Sequence, residues 1–463
     1  MKEKTPILSK DGVSYVIPFV LITFCFALWG FANDITNPMV KAFSKIFRMS
    51  VTDGALVQVA FYGGYFAMAI PAALFIRKFS YKSGVLVGLG LYALGAFLFW
   101  PAESTGSYYP FLAAYFIMTC GLSFLETSCN PYILSMGPEK TATRRLNLAQ
   151  SFNPCGSLLG MFVAMNFIQN RLDPMSSADR ALLSNEEFEI MKHSDLSILI
   201  APYLAIAIVI AVMFLVILFT RMPKNSDSGK DTDFVSTVKR LFSRRSYREG
   251  VVAQFFYVGA QIMCWTFIIQ YGTRVLAGAS PDSFEVGILS LLGQDAGSVL
   301  SEKSAEVLSQ GYNIIAMILF VLSRFVCTYL LKYLRPGRML SSFAIGGILL
   351  SVGVILLQGR AGLYCLVGIS LCMSLMFPTI YGIALEGTGE DAKLGSAGLI
   401  MAILGGSVLP PLQASIIDAG TVISMPAVNV SFILPLICFA VITVYGFRMT
   451  ERRIKKEFPA ENL

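Results

Sequence analysis

Hydrophobic side chains along this 463-residue chain come in runs of roughly 20, with polar residues gathered in the short segments between them. A run of that length carries an α-helix across the ~30 Å hydrocarbon layer of a bilayer. Twelve runs can be marked, over residues 16–40, 54–76, 83–100, 108–135, 147–169, 197–220, 250–273, 305–333, 340–357, 363–385, 395–417 and 429–447. The pattern predicts an all-α polytopic membrane protein with twelve transmembrane helices. An even number leaves both termini on the same side. The composition agrees, since 55% hydrophobic and 14% charged residues lie far outside an ordinary soluble domain. The first run is too long for a signal-peptide core and ends in Asn-Asp rather than a small-residue cleavage site, so it reads as a retained first helix.

A net charge of +7 invites a nucleic-acid partner, but the distribution of the charge argues against one. With the N-terminus inside, the inside segments carry 26 Lys and Arg and the outside segments nine, and the one left over, Arg324, sits within the eighth span. The positive-inside rule then makes both termini cytoplasmic, and the charge is a topology signal. The longest inside segment, 221–248, begins as a Ser/Asp/Lys stretch and ends as a basic amphipathic piece that suits the membrane surface. It divides the chain into an N-terminal six-helix bundle (1–220), a cytoplasmic linker (221–248) and a C-terminal six-helix bundle with a tail (249–463). The halves repeat weakly: IRKFSYKSGVLVGLG after the second span is matched by LKYLRPGRMLSSFAIG after the eighth, and LETSCNPYI in the fourth sits where LMFPTIYGI sits in the tenth. Two six-helix halves joined by a long cytoplasmic linker is the architecture of the major facilitator superfamily, whose members bind substrate near the midplane. There is no GxxxxGK phosphate loop to suggest ATP drive. All nine cysteines lie in apolar runs and read as packing residues. The lone histidine, His193, has no partner pattern for a metal, and no cofactor is expected.

Against this background one carboxylate stands out. Glu126 lies in the middle of the run Phe111–Leu134, which holds no other ionisable group except thiols and tyrosines. A charge at the centre of a spanning helix costs roughly 2.5–3.5 kcal/mol on insertion scales, so such a residue faces the bundle interior and marks an ion or substrate path. An apolar setting disfavours the charged form of a carboxyl, so a buried Glu can take up and release a proton near neutral pH, as a proton-coupling site must. The competing reading is a carboxyl that hydrogen-bonds a neighbouring helix. Asn130 follows one turn on, before Pro131.

Three further spans carry polar stripes. In the first, FALWGFANDITNP places Asn33 and Asn37 on one face with Asp34 beside them; Asp34 either joins a site within the bundle or meets water at the helix end. In the fifth, RLNLAQSFNPCGSLLG sets Gln150 and Asn153 three apart on one face, able to hydrogen-bond a polyol, with Asn147 nearer the cytoplasmic end. In the seventh, Gln254, Gln261 and Trp265 form a stripe with Tyr257 close by. Amides beside an indole suit a sugar, whose hydroxyls want paired donors and acceptors and whose C–H face stacks on an aromatic ring. The same amides could instead hold helices together. Arg324 either pairs inside the bundle or snorkels toward the cytoplasm, and the two turns separating it from Lys332 favour snorkelling. Glu386 and Asp418 end their helices and read as interfacial.

At these residues the chain closely resembles the L-fucose/proton symporters, the fucose-galactose-glucose family of the major facilitator superfamily. The resemblance runs from YVIPFVLITFCFALWGFAND through the twelfth span and is most specific in GLSFLETSCNPYI, RLNLAQSFNPCG, AQFFYVGAQIMCWTFIIQY and FPTIYGIALEG. It implies proton-driven uptake of a hexose or 6-deoxyhexose across the bacterial cytoplasmic membrane by alternating access, by a single-chain carrier. It also implies that Glu126 is the proton and substrate site, with Gln150, Asn153, Gln261 and Trp265 in the sugar cavity; Asn33, Asn37 and Asn130 join the substrate-binding candidates on their own position in the polar stripes. The chain departs from the family in its first span, where the family's carboxylate falls on Asn37. Either Asp34, three residues earlier, has taken over that role, or coupling rests on Glu126 alone. Rival functions are a facilitator or a sodium-coupled hexose carrier on the same fold and, more remotely, a membrane receptor or an enzyme on a lipid substrate. Against the last two, no clustered carboxylates or nucleophile with its base appear at a membrane face, and neither terminus carries a signalling domain.

Overall fold

The structure, a computed structural model, describes all residues except 1–7, 11–12, 37–38, 50–55, 164–166, 169–170, 174, 176–179, 181, 223–233, 294–296, 423–424 and 458–463. In chain order the helices are α1 (Val16–Thr36), α2 (Met39–Ile46), α3 (Leu56–Lys78), α4 (Tyr81–Phe97), α5 (Phe99–Ser104), α6 (Tyr109–Ser135), α7 (Ala142–Gln150), α8 (Asn153–Val163), α9 (Asn185–Phe219) and α10 (Phe234–Ser243). They continue as α11 (Arg245–Leu276), α12 (Ser283–Leu291), α13 (Glu302–Leu330), α14 (Pro336–Leu356), α15 (Arg360–Met373), α16 (Met376–Ala384), α17 (Ala392–Met401), α18 (Gly405–Ile417), α19 (Ala427–Val430) and α20 (Ile433–Glu457). Two short antiparallel strand pairs, β1–β2 (Ser9–Lys10, Val13–Ser14) and β3–β4 (Thr421–Val422, Met425–Pro426), and 3-10 helical turns at Glu139–Thr141, Gly389–Asp391 and Ala402–Leu404 complete the described elements.

Among the described residues, 11 helices are long and apolar enough to cross a membrane. The fifth expected span, 147–169, is the exception: it is broken into α7 and α8 at Ser151–Phe152. The tenth is likewise broken between α15 and α16, and the eleventh between α17 and α18. Helix α9 begins 12 residues before the expected sixth span, at Asn185. Hydropathy missed that polar start, but it is nucleated locally by a capping box in which the Glu187 amide donates to Ser184 Oγ (3.4 Å) and the Ser184 amide to Glu187 Oε2 (3.1 Å).

By packing, the described chain falls into two compact units, the first comprising Met1–Arg145, Phe152–Lys239 and Thr388–Met401, the second Leu146–Ser151, Arg240–Gly387 and Ala402–Leu463. In the first unit α6 is central: every residue from Met118 to Ile133 is buried, with α3, α4 and α17 packed against it. Close approach of α4 to α6 needs glycine, since a Cβ on Gly121 would fall within 3.0 Å of the α4 backbone at Gly88 and Tyr92. The crossing of α8 over α1 uses a G-x-x-x-G pair, Gly156 and Gly160, against the backbone of Ala27 and Phe31, with Ser157 Oγ donating to Gly30 O at 3.3 Å. The exposed carbonyls at the end of α6 are capped by a fully buried arginine: Arg145 Nε donates to Ile133 O (2.7 Å) and Nη2 to Leu134 O (2.5 Å). Ahead of α9, buried Arg180 pairs with buried Asp195 at 2.7 Å and donates to Asp173 O at 3.1 Å.

In the second unit α11 is the hub, packed against α13, α15, α16, α18 and α20. Its crossing with α18 repeats the small-residue device, because a Cβ on Gly405 would meet the Phe255 carbonyl well inside 3.0 Å. At one end Glu285, fully buried, caps α12 in a box with Asp282 and takes a two-pronged ion pair from Arg360, with both N···O distances 2.9 Å. Tyr312 donates to the same carboxylate at 3.2 Å.

Two outcomes are expected. Gly156→Leu forces α1 and α8 apart and costs about 1–3 kcal/mol, seen as a lower thermal midpoint of the detergent-solubilised protein; Gly90→Ala, where the nearest atom is Phe214 at 3.8 Å, leaves the midpoint unchanged. Arg180→Met strands buried Asp195 and costs roughly 3–5 kcal/mol. Arg180→Met combined with Asp195→Leu recovers most of that loss in the same melting assay.

Candidate functional site

In the first unit Glu126 occupies the middle of α6 and is 6% exposed. Its Oε2 atom is buried and has no hydrogen-bond partner among the described residues. Tyr65 of α3, also buried, sits beside this carboxyl with its hydroxyl outside hydrogen-bond geometry, and Cys129 lies close by. Sequence reasoning passed over Tyr65; the only signal was its place in a small-residue run, FYGGYF, that brings α3 close to α6. The Asn130 amide, fully buried, donates to Glu126 O at 3.0 Å, so Glu126 and Asn130 are joined one turn apart.

Asn33 and Asp34 lie in the last turn of α1, both half-buried. Asn33 Oδ1 is buried without a hydrogen-bond partner among the described residues, and Asp34 lies near Tyr62 of α3. Asn37 lies outside the described residues. Asn153 opens α8 and donates from Nδ2 to Phe26 O of α1 at 3.0 Å, so one half of its amide is taken by helix packing.

The remaining predicted residues belong to the second unit. Gln150 is 4% exposed and ends α7. Gln261 and Trp265 are half-buried on α11, one turn apart. The Trp265 indole donates from Nε1 to Ser370 Oγ of α15 at 3.1 Å and meets the Phe320 ring edge-on, with centroids 5.1 Å apart. That fixes its plane. Gln254, further along the same helix, is fully buried and both of its amide atoms lack a hydrogen-bond partner among the described residues. An unpaired amide in the interior is expensive, and Gln254, like Glu126 and Asn33 of the first unit, keeps buried polar atoms that no described residue satisfies.

Two prolines accompany helix breaks, Pro154 after Ser151–Phe152 and Pro378 in the first turn of α16, and a third, Pro131, lies inside the unbroken α6. A proline in a helix lacks the N–H that would bond the carbonyl four residues earlier and pushes that carbonyl aside, and in a membrane a neighbouring helix must supply the donor. Pro131 deprives Thr127 O, and Ser396 Oγ of α17 donates to it at 3.1 Å within the first unit. Pro154 deprives Gln150 O, and Pro378 deprives Ser374 O, both acceptors belonging to the second unit. Both acceptors are met by Arg324 of α13: Nη1 donates to Gln150 O at 3.0 Å, and Nε donates to Ser374 O. Arg324 is 3% exposed, with its guanidinium 4.5 Å from the centre of the Phe320 ring. The preference for a snorkelling Arg324 is therefore overturned, because the backbone acceptors it can reach inside the bundle outweigh the pull of the interface two turns away.

Comparison with known proteins extends this picture. Residues 22–411 match the family model described as Major Facilitator Superfamily. Over 441 residues, 94% of this chain and 96% of the relative, the sequence is 51% identical to an L-fucose-proton symporter of Haemophilus influenzae. It is 33% identical to the L-fucose-proton symporter of Escherichia coli, over 94% of this chain and 93% of the relative. A glucose/galactose transporter of Brucella abortus is 28% identical, with 94% of each chain covered. The crystal structure of FucP, a major facilitator transporter in the outward conformation, superposes with a TM-score of 0.82 at 32% identity, covering 94% of this chain and 99% of that one. Matching in family model, sequence and twelve-helix fold over nearly its whole length, this multi-pass membrane protein belongs to the major facilitator superfamily.

Proposed function

We propose that the protein is a proton-coupled sugar symporter that imports L-fucose across the bacterial cytoplasmic membrane by alternating access. Its main support is the 51% identity with an L-fucose-proton symporter over 94% of this chain, joined to a buried carboxylate whose Oε2 has no hydrogen-bond donor among the described residues. The surplus of Lys and Arg in the inside segments places both termini in the cytoplasm, and the bundles 1–220 and 249–463 are the two halves, joined by the linker 221–248. The working unit is one chain in the bilayer, with sugar and proton as its only partners.

Glu126 is the coupling group. When it is ionised, its charge sits among apolar helices with no donor on Oε2, so the carrier holds a site open to water. Protonation from outside removes that charge and lets the sugar-loaded carrier close outside and open inside. Release of sugar and proton to the cytoplasm then resets it. The gradient supplies the direction, because binding alone shifts a conformational equilibrium only by its differential affinity for the two states. Each proton moving down 100 mV contributes about 2.3 kcal/mol, enough for a roughly fifty-fold sugar gradient at about 1.4 kcal/mol per tenfold. Asp34 is the second proton-handling candidate. Asn33, Asn37, Asn130, Gln150, Asn153, Gln261 and Trp265, together with Glu126, form the sugar site; the amides pair with hydroxyls, and the indole stacks on the C–H face of the ring.

The test is sugar-induced proton uptake by energy-depleted cells, offering L-fucose, galactose, glucose and N-acetylglucosamine in turn. Alkalinisation of the medium with L-fucose alone is expected. A response to glucose or galactose instead would align the chain with the transporters that share 28% identity, and labelled sugar entering without alkalinisation would make it a facilitator or a carrier coupled to another ion. Glu126→Gln is expected to abolish accumulation against a gradient while sugar exchange persists; undiminished accumulation would remove Glu126 from the proton path. Asp34→Asn is expected to lower the accumulation ratio with sugar binding retained. An unchanged ratio would leave Glu126 as the sole coupling group.

A further inference from the structure

We propose that Arg324 is a positioning residue of the sugar site: it holds the backbone of Gln150 in the register at which that side chain meets the sugar. This rests on the sugar-binding role given to Gln150 above. The carbonyls of Gln150 and Ser374 have each lost their helical donor to a proline four residues on, Pro154 and Pro378. One buried guanidinium replaces both lost donors. Its planar fork is what allows a single side chain to reach two separate acceptors in fixed directions; a lysine ammonium is a point charge without that geometry.

The contact falls where chain direction is set. Gln150 is the last residue of α7, and the chain turns at Ser151–Phe152 before α8. Without Arg324 the peptide after Gln150 is held from its N–H side, where the Ser151 amide donates to Asn147 O at 3.0 Å and Leu148 O at 3.2 Å, and loses the hold on its carbonyl that fixes the direction in which the chain and the Gln150 side chain leave α7. The surroundings reinforce the hold from the same helix. Thr328, one turn after Arg324, donates to Arg324 O at 2.7 Å and approaches Ser151 Oγ at 3.5 Å, while Ser151 Oγ donates back to Asn147 O at 2.8 Å and Asn147 Nδ2 donates to Thr379 Oγ1 of α16 at 3.2 Å. The short segment ending in Gln150 is thus pinned to α13 and α16 within one unit. Arg324 contributes here as a backbone donor, and no direct contact with sugar or proton is required of it.

The experiment measures binding of radiolabelled L-fucose to the purified full-length carrier in lipid nanodiscs. Arg324→Met keeps the apolar stem and removes every donor; its Kd is expected to rise roughly tenfold, a change of about 1.4 kcal/mol. Adding Pro154→Ala and Pro378→Ala returns the two missing N–H groups to the helices and is expected to bring Kd back to within about threefold of the unmodified carrier. Gln150→Ala is expected to weaken binding in the unmodified carrier and to add little in the Arg324→Met background, a non-additivity that a general loss of fold would not produce.

Unchanged binding in Arg324→Met, or recovery by Arg324→Lys but not by the two alanines, would overturn the positioning role, the latter by showing that charge alone is needed. Gln150→Ala that binds as tightly as the unmodified carrier would overturn it as well, by removing Gln150 from the sugar site. An unmodified carrier that binds none of the sugars tested refutes the fucose reading and this inference with it. If Arg324→Met does not reach the membrane, the triple variant decides: recovered expression with recovered binding supports the role, and any other result defeats it.

Discussion

A backbone carbonyl inside a bilayer has no water to turn to, and the most instructive features of this protein follow from that constraint. Prolines at 131, 154 and 378 each strip a helix of one internal bond. Each orphaned oxygen is met from a different helix, by Ser396 in one unit and by Arg324, twice, in the other. The orphaned carbonyls lie at or beside candidate site residues. Thr127 follows Glu126, and Gln150 carries both an orphaned carbonyl and a candidate sugar amide. A regular helix would present its side chains at fixed intervals. The interruptions allow an amide or carboxyl to be aimed, at the cost of needing an outside donor.

The two ionisable groups deepest in the apolar runs are treated in opposite ways. Arg324 has backbone acceptors and an aromatic face, so its charge is compensated and its position held. Glu126 has Tyr65 near it but an oxygen without a donor. A fully compensated charge contributes rigidity, whereas an under-compensated one keeps two protonation states close in energy, which a proton carrier requires. Gln254 and Asn33, with buried amide atoms left unpaired among the described residues, belong to the same second category.

Small residues set the frame in which these groups sit. Gly156 and Gly160 against α1, and Gly405 against α11, let backbones approach to distances that any Cβ would prevent. The same device therefore appears in each unit, in keeping with the weak repeat between the two halves of the sequence. With little hydrophobic drive between helices in lipid, such close contacts and a few buried polar bonds carry much of the cohesion.

How much of this was legible beforehand differs by kind of feature. Run lengths determined the helical membrane class and the number of spans, because the thickness of a bilayer acts on each segment separately. An isolated carboxylate in an apolar run singled out Glu126 for a similarly local reason, the cost of burying one charge. The early start of α9 was also written locally, in the Ser184 capping box, but a hydropathy window is blind to it. The donors that meet the orphaned carbonyls were not legible. Pro154 and Pro378 announce that two carbonyls need partners, yet nothing in their spacing points to Arg324, some 170 residues from one of them and 50 from the other. Read alone, Arg324 was drawn toward the interface by its distance from Lys332; in place, it is held by two acceptors that only the packing of α7, α13 and α16 brings within reach. The sequence by itself determined which segments enter the membrane and which charge is costly there. Only the tertiary structure decided which polar groups find partners among the described residues and which do not, because a hydrogen bond between helices depends on which residues meet, and no one-dimensional spacing records that.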